Sequence, residues 1–169
     1  MSTFNKSFLL KTNLLAFILI ATLIFSCKDV GEPSPNSRIE GTYQHSLQGK
    51  FGWEDKEYRY VNILKFKPDG TVNGENYTTE VGSDEILGYR GYFSGFYSIS
   101  EGKVTISYDE IYRLDYTDIT YVAKESLSLI QNEDNSVEYF ISEDFSKLFS
   151  SKSCQPNENC AIFVYEKVD

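Results

Sequence analysis

Tyr58-Arg59-Tyr60-Val61-Asn62-Ile63-Leu64-Lys65-Phe66-Lys67-Pro68-Asp69-Gly70-Thr71 is the stretch on which the fold turns. Tyr58, Tyr60, Leu64 and Phe66 share one face at period two, the side-chain repeat of a β-strand. Lys67-Pro68-Asp69-Gly70-Thr71 then fits a type I turn, with Pro leading and Gly in the left-handed region, the signature of a three-residue hairpin loop. A strand that ends in such a turn runs back beside its successor, antiparallel to it.

The same grammar repeats outward. Residues 93–99 lead through Ser100-Glu101-Gly102 into Val104, Ile106 and Tyr108, a second hairpin. Residues 125–131 and 137–142 flank the turn Asn132-Glu133-Asp134-Asn135-Ser136, and residues 145–149 and 161–165 flank a fourth loop that holds Cys154 and Cys160. Beyond residue 38 no segment repeats apolar positions at helical spacing over three turns. Residues 109–123 are the weakest part of the pattern: Asp109-Glu110, Asp115 and Asp118 interrupt it, which predicts a loop followed by an edge strand over 119–123. Strands joined in sequence by short turns predict an all-β, antiparallel up-and-down meander of about eight or more strands, and closing it into a barrel removes exposed edges. Phe66, Phe93, Tyr97, Ile106, Leu127, Leu129, Tyr139 and Ile141 are the expected interior set.

Composition narrows the function classes. The 169 residues carry 16 Lys+Arg against 25 Asp+Glu, a formal charge of −9, with 13 Tyr and 12 Phe but a single His. An acidic chain lacks the basic footprint of a nucleic-acid binder, and 41% hydrophobic residues are too many for a disordered one. One His excludes a zinc site built on two or three imidazoles and argues against a His-based triad. His45 itself reads as a strand-surface residue.

The first thirty residues read as an address. Lys6 and Lys11 precede an apolar run at residues 14–25, interrupted only by Thr22, with no acid among them. Twelve helical residues span about 18 Å, short of the roughly 30 Å of a bilayer core, so the run reads as a secretory signal rather than a membrane span. Ile24-Phe25-Ser26-Cys27 resembles a bacterial lipobox: an aliphatic residue three before the Cys, a small residue before the scissile bond, and a thiol to carry the lipid. Residues 1–26 are therefore expected to be a lipoprotein signal peptide. Cleavage there removes two of the 16 basic residues and none of the 25 acids, giving a mature formal charge of −11. Acyl chains at about 0.8 kcal/mol per buried methylene hold such a chain on a membrane, while anionic headgroups repel its acidic body. Lys28-Asp29, in place of an acid directly after the Cys, points to the outer membrane of the cell envelope.

Residues 27–38 read as the lipidated tether, since 28–38 contain one apolar side chain and two prolines. Residues 39–169 are the expected barrel domain. With Cys27 assigned to lipid, Cys154 and Cys160 remain as a pair in an oxidising compartment and read as a disulfide, whose short loop is worth about 2.4 kcal/mol in the chain-entropy model.

Ile39-Glu40-Gly41-Thr42-Tyr43 resembles the opening Gly-x-Trp of lipocalin-like (calycin) barrels, with Tyr43 in the Trp place. Residues 64–72, Gly95-Phe96-Tyr97-Ser98-Ile99 with Lys103-Val104-Thr105-Ile106, and Tyr139-Phe140-Ile141-Ser142 with Phe145-Ser146-Lys147-Leu148 look like hairpins of secreted bacterial lipocalin-like domains. The resemblance covers roughly residues 39–150. It implies a barrel and a ligand cavity, and it carries no catalytic residues.

Other constellations weigh less. Ser100-Glu101-Gly102-Lys103 spells Ser-x-x-Lys, but that chemistry needs a helix start where this chain has a hairpin turn. The acids at 109–118 and 132–136 lack the Gly and terminal Glu of a calcium loop and read as solvated turns. Residues 88–97, Gly88-Tyr89-Arg90-Gly91-Tyr92-Phe93-Ser94-Gly95-Phe96-Tyr97, stand out because glycines within a strand let it bend or let something approach its backbone. Tyr89, Tyr92 and Tyr97 there either fill the core or line a pocket mouth, and Trp53 is either a lid over the barrel end or an exposed contact. The expected function is non-catalytic, without cofactor or metal: a tethered barrel holding a small apolar or amphipathic ligand. The competing expectation is a side-chain-filled barrel that engages an envelope protein through its loops.

The anchor is directly testable. Cys27→Ala is expected to leave an uncleaved or soluble species, and unchanged detergent-phase partition of that variant would remove the lipid assignment.

Overall fold

The computed structural model describes residues 34–50, 55–115, 118–130, 136–150 and 162–169. Within them the period-two pattern becomes nine strands: β1 (Gly41–Lys50), β2 (Glu57–Phe66), β3 (Thr71–Glu80), β4 (Ile86–Ser100), β5 (Lys103–Arg113), β6 (Ser128–Leu129), β7 (Ser136–Ile141), β8 (Lys147–Phe149) and β9 (Val164–Lys167). Helix among the described residues amounts to one turn, α1 (Pro35–Ile39), and a 3-10 turn at Lys124–Ser126.

Every strand pairing is antiparallel. Each barrel strand neighbours the next, β1-β2-β3-β4-β5-β7-β8-β9, and β9 returns to β1 with Lys167 opposite Tyr43 and Glu166 opposite Gln44. The result is a closed eight-stranded up-and-down barrel. β6 lies outside the ring and pairs with β5 at Tyr112 and Arg113, beyond the residues 103–107 that β7 occupies.

The hairpin chemistry behaves as the residues require. Gly70 takes φ +87°, and the Asp69 carboxylate accepts from the Thr71 amide at 2.9 Å, closing the β2–β3 turn. Glu101 and Gly102 both have positive φ, the two-residue type I′ geometry that matches strand twist. Asp144 accepts from the Ser142 hydroxyl and from both the amide and hydroxyl of Ser146 in the β7–β8 turn. These hydrogen bonds, led by that of Ser142, hold its carboxyl down at about 2.

One end of the barrel is packed solid. Tyr58, Tyr60, Leu64 and Phe66 of β2 are all buried, as their alternation predicts. Leu64 and Phe66 join Ile39, Tyr43, Val72, Tyr97, Val104, Ile106, Leu148 and Tyr165 in one apolar cluster. Pro35 in the first turn and the Ser34 side chain, which accepts from the Ser37 amide, start α1 where the chain meets the barrel, and Ile39 is buried in the cluster. Residues 35–38, expected to be extended tether, are thus helical. Two of the buried phenols meet backbone carbonyls: Tyr43 donates to the Phe145 carbonyl at 2.7 Å and Tyr97 to the Lys67 carbonyl at 2.7 Å.

Several expectations change. β5 runs on through Asp109 and Glu110 to Arg113, because a register shift opposite Ser94 and Gly95 absorbs the extra residue and returns Ile111 to the inside. No edge strand forms over 119–123; Val122 makes a lone bridge to Tyr89. Of the segment expected over 125–131, only β6 is a strand among the described residues 125–130, and since β6 lies outside the ring Leu129 is 50% exposed rather than interior. Leu127 is buried but outside the main cluster, whereas Phe93, Tyr139 and Ile141 pack against it. β9 begins at Val164, later than the expected 161. The turn at 131–135 lies outside the described residues, as do Cys27, Trp53, Cys154 and Cys160.

Gly74 on β3 tests the packing. A Cβ there would fall on the Phe93 ring. Gly74→Ala is expected to cost about 1–3 kcal/mol in urea unfolding through overpacking, while Gly49→Ala, with nothing near its Cβ position, serves as the near-neutral control.

Candidate binding cavity

At the opposite end the interior is lined differently, and the difference begins with a bulge in β4. Asn76 pairs with Gly91 and the next residue, Tyr77, pairs with Tyr89, so Arg90 is the extra residue. A bulge re-aims its side chain, and Arg90 reaches the inner face of β2, where its Nη2 donates to the Asn62 side-chain oxygen at 2.9 Å and to the Val61 carbonyl at 3.4 Å. Its guanidinium lies 5.1 Å from the Tyr60 ring centroid, within cation–π range. Its Nε is buried and makes no hydrogen bond among the described residues. Burial pulls its pKa down, partly offset by the nearby Tyr60 and Tyr165, but a guanidinium stays charged in proteins. Among the described residues no carboxylate pairs with it, in contrast to Arg59, which meets Asp84 at 2.7 Å.

Arg90, Asn62 and Tyr60 form one wall of a cavity of about 290 Å3 completed by Leu47, Leu114, Ile119 and Thr120. A further space of about 190 Å3 adjoins the packed end, lined among others by Asn76, Tyr108, Arg113, Tyr139 and Tyr165. Desolvation drives the Tyr139 phenol strongly upward and pushes Tyr108 up to about 12, so both remain neutral hydrogen-bonding groups at ordinary pH. The Tyr139 and Tyr165 rings meet edge-on at 5.5 Å. His45, expected on the strand surface, instead shares the inward phase of Tyr43: its Nδ1 is 2.9 Å from the Val164 carbonyl and its ring packs on Phe163 and Tyr165.

Residues 118–122 border the cavity. The Tyr89 amide donates to the Val122 carbonyl at 2.8 Å, the Val122 amide returns a bond at 3.0 Å, and the Leu114 amide donates to the Arg90 carbonyl at 3.0 Å. Tyr121 meets Tyr58 edge-on at 6.0 Å and Thr120 is buried. Gly88 makes this possible: a Cβ there would come within 2.6 Å of the Tyr121 ring and 2.7 Å of the Val122 carbonyl. The glycines of residues 88–97 therefore do admit a close approach of chain to chain.

The three tyrosines singled out in that segment do not converge. Tyr97 is buried in the packed end. Tyr89 and Tyr92 lie on the outer face: Tyr89 packs against Tyr77, Tyr92 stacks on Tyr112 at 4.5 Å, and the Lys124 ammonium sits 5.0 Å from both rings while pairing with Glu75 at 2.5 Å. Beside them an outer cleft of about 500 Å3 runs between Ile63, Lys65, Asn73, Glu75, Tyr92, Glu110 and Lys124. Sequence reasoning missed Arg90, Asn62, Ile119 and Thr120. A signal for Arg90 was present, since it is the single charged residue in the fifteen of β4.

Compared with known proteins, the chain matches no family model, no curated protein and no solved structure. The geometry defines a closed eight-stranded barrel with one packed end and one cavity-bearing end.

Gly88→Ala is expected to part residues 121–122 from β4. Hydrogen exchange at the Tyr89 and Val122 amides should then accelerate at least tenfold, the equivalent of about 1.4 kcal/mol of local opening. Undiminished protection would show that the close approach at Gly88 does not hold this segment.

Proposed function

We propose that this protein is a non-catalytic binding protein of the cell envelope, lipid-anchored through Cys27 in the outer membrane, that holds a small apolar or amphipathic molecule in its barrel. The observation that carries the reading is the uneven filling of the interior. An eight-stranded barrel is just wide enough for its own side chains or one small ligand. Here one end is closed by Ile39, Tyr43, Phe66 and Tyr97, while the other leaves about 290 Å3 between Leu47, Tyr60, Arg90 and Ile119. Apolar walls with a few placed polar groups are the usual makeup of a small-molecule site. The lipobox-like Ile24-Phe25-Ser26-Cys27 and the acidic body support a tethered domain that stands off the membrane.

A second reading rests on the outer face, where the Tyr92–Tyr112 stack and the Lys124–Glu75 pair border the wider cleft. Half-buried aromatic rings beside charges suit a protein partner of the envelope.

Native mass spectrometry of the full chain, isolated from its own envelope in mild detergent, separates the two. The cavity reading expects a co-purifying small molecule that Ile119→Trp displaces and that Phe96→Ala, on the outer face, retains. Protein that carries no small molecule and gains no thermal stability from any apolar or amphipathic probe would sink it in favour of the outer face.

A further inference from the structure

Resting on that cavity reading, we infer that Arg90 receives the anionic head of the ligand, and that the ligand class is a singly charged carboxylate amphiphile whose chain lies against Leu47, Leu114 and Ile119. Four observations converge. The bulge in β4 lets Tyr89 and Tyr92, three residues apart, both face outward and leaves the extra residue between them, the cation Arg90, turned into the cavity. The oxygens Arg90 does meet, those of Asn62 and Val61, are neutral, so its charge is solvated by dipoles and balanced by no described acid. Both of those bonds use Nη2, and the buried Nε has no acceptor among the described residues. The planar fork of a guanidinium matches the two oxygens of a carboxylate.

Removing a charge from water is costly unless an opposite charge accompanies it, and a ligand anion would supply that charge on binding. Arg90 is the one cation among the described residues that line this cavity, so it answers one negative charge rather than two. The apolar side chains opposite it suit a hydrocarbon chain. A neutral ligand of the same shape would bury its polar head against an uncompensated guanidinium.

Calorimetric titration of the full chain in zwitterionic lipid vesicles, blanked against empty vesicles, tests this with octanoate, its neutral isostere octanamide, and octyl phosphate. Octanoate is expected to bind at least tenfold more tightly than octanamide and more tightly than octyl phosphate. Arg90→Gln is expected to erase the octanoate preference, and Arg90→Lys to restore part of it. Equal affinity of the wild-type chain for octanoate and octanamide would overturn the role of Arg90 while leaving the cavity reading standing. Tighter binding of octyl phosphate would overturn the choice of a carboxylate. Failure of all three probes to bind would overturn both the inference and the reading beneath it. The comparison on the wild-type chain decides the matter even where Arg90→Gln fails to fold.

Discussion

The barrel depends on the meeting of its two ends in sequence. β9 reaches β1 through two residue pairs, Tyr43 with Lys167 and Gln44 with Glu166. The Val168 amide adds a bond to the Thr42 carbonyl at 2.9 Å, and the Asp169 carboxylate accepts from the Thr42 amide. That short seam converts an open sheet with two exposed edges into a ring with none. It also places α1, which directly precedes β1, where Arg38 can cover the Phe145 ring at 4.1 Å and donate to the Glu143 carbonyl at 2.8 Å. Closure and the plugging of one end are therefore parts of a single arrangement.

Given closure, the interior divides by how its polar groups are served. In the packed end the Tyr43 and Tyr97 hydroxyls each find a backbone carbonyl, and the remaining volume is filled by branched and aromatic side chains. Toward the other end the buried polar atoms are less well matched. Arg90 Nε, His45 Nε2 and the Thr78 hydroxyl lack partners among the described residues. Groups of this kind cost free energy in an apolar setting and concentrate where a structure has a use besides stability. Their clustering at one end agrees with the position of the cavity.

Two of the three register shifts along β4 mark the same division from the side of the backbone. One, opposite Asn76 and Tyr77, aims Arg90 inward. The other, at Ser94 and Gly95, lets β5 absorb Asp109 on its way to Arg113. Without the second, the acids of β5 would change faces and Ile111 would lose its place inside. Long strands of a small barrel must bend to close, and bulges with glycines beside them are the usual device. Here that device also sets which side chains face the ligand space.

Much of this was legible in the residues alone. Alternation at Tyr58, Tyr60, Leu64 and Phe66, and the turns at Asp69-Gly70 and Glu101-Gly102, determined strands, hairpins and antiparallel sense, because each depends on neighbours within a few positions. Asp109 and Glu110 misled for the same reason: local polarity resembles a loop, while a bulged strand with one wet face accepts them, and Asp115 and Asp118 do lie outside the strands. Tertiary structure alone decided the rest. Whether a bulge turns Arg90 inward depends on Asn62 and Asn76, 28 and 14 positions away along the chain. Closure depends on residues 43 and 167, and the cavity depends on residues 119 and 120 lying across from residue 47. Such long-range pairings leave no periodic trace in sequence, since the chemistry that fixes them is complementarity between surfaces that do not exist until the barrel forms.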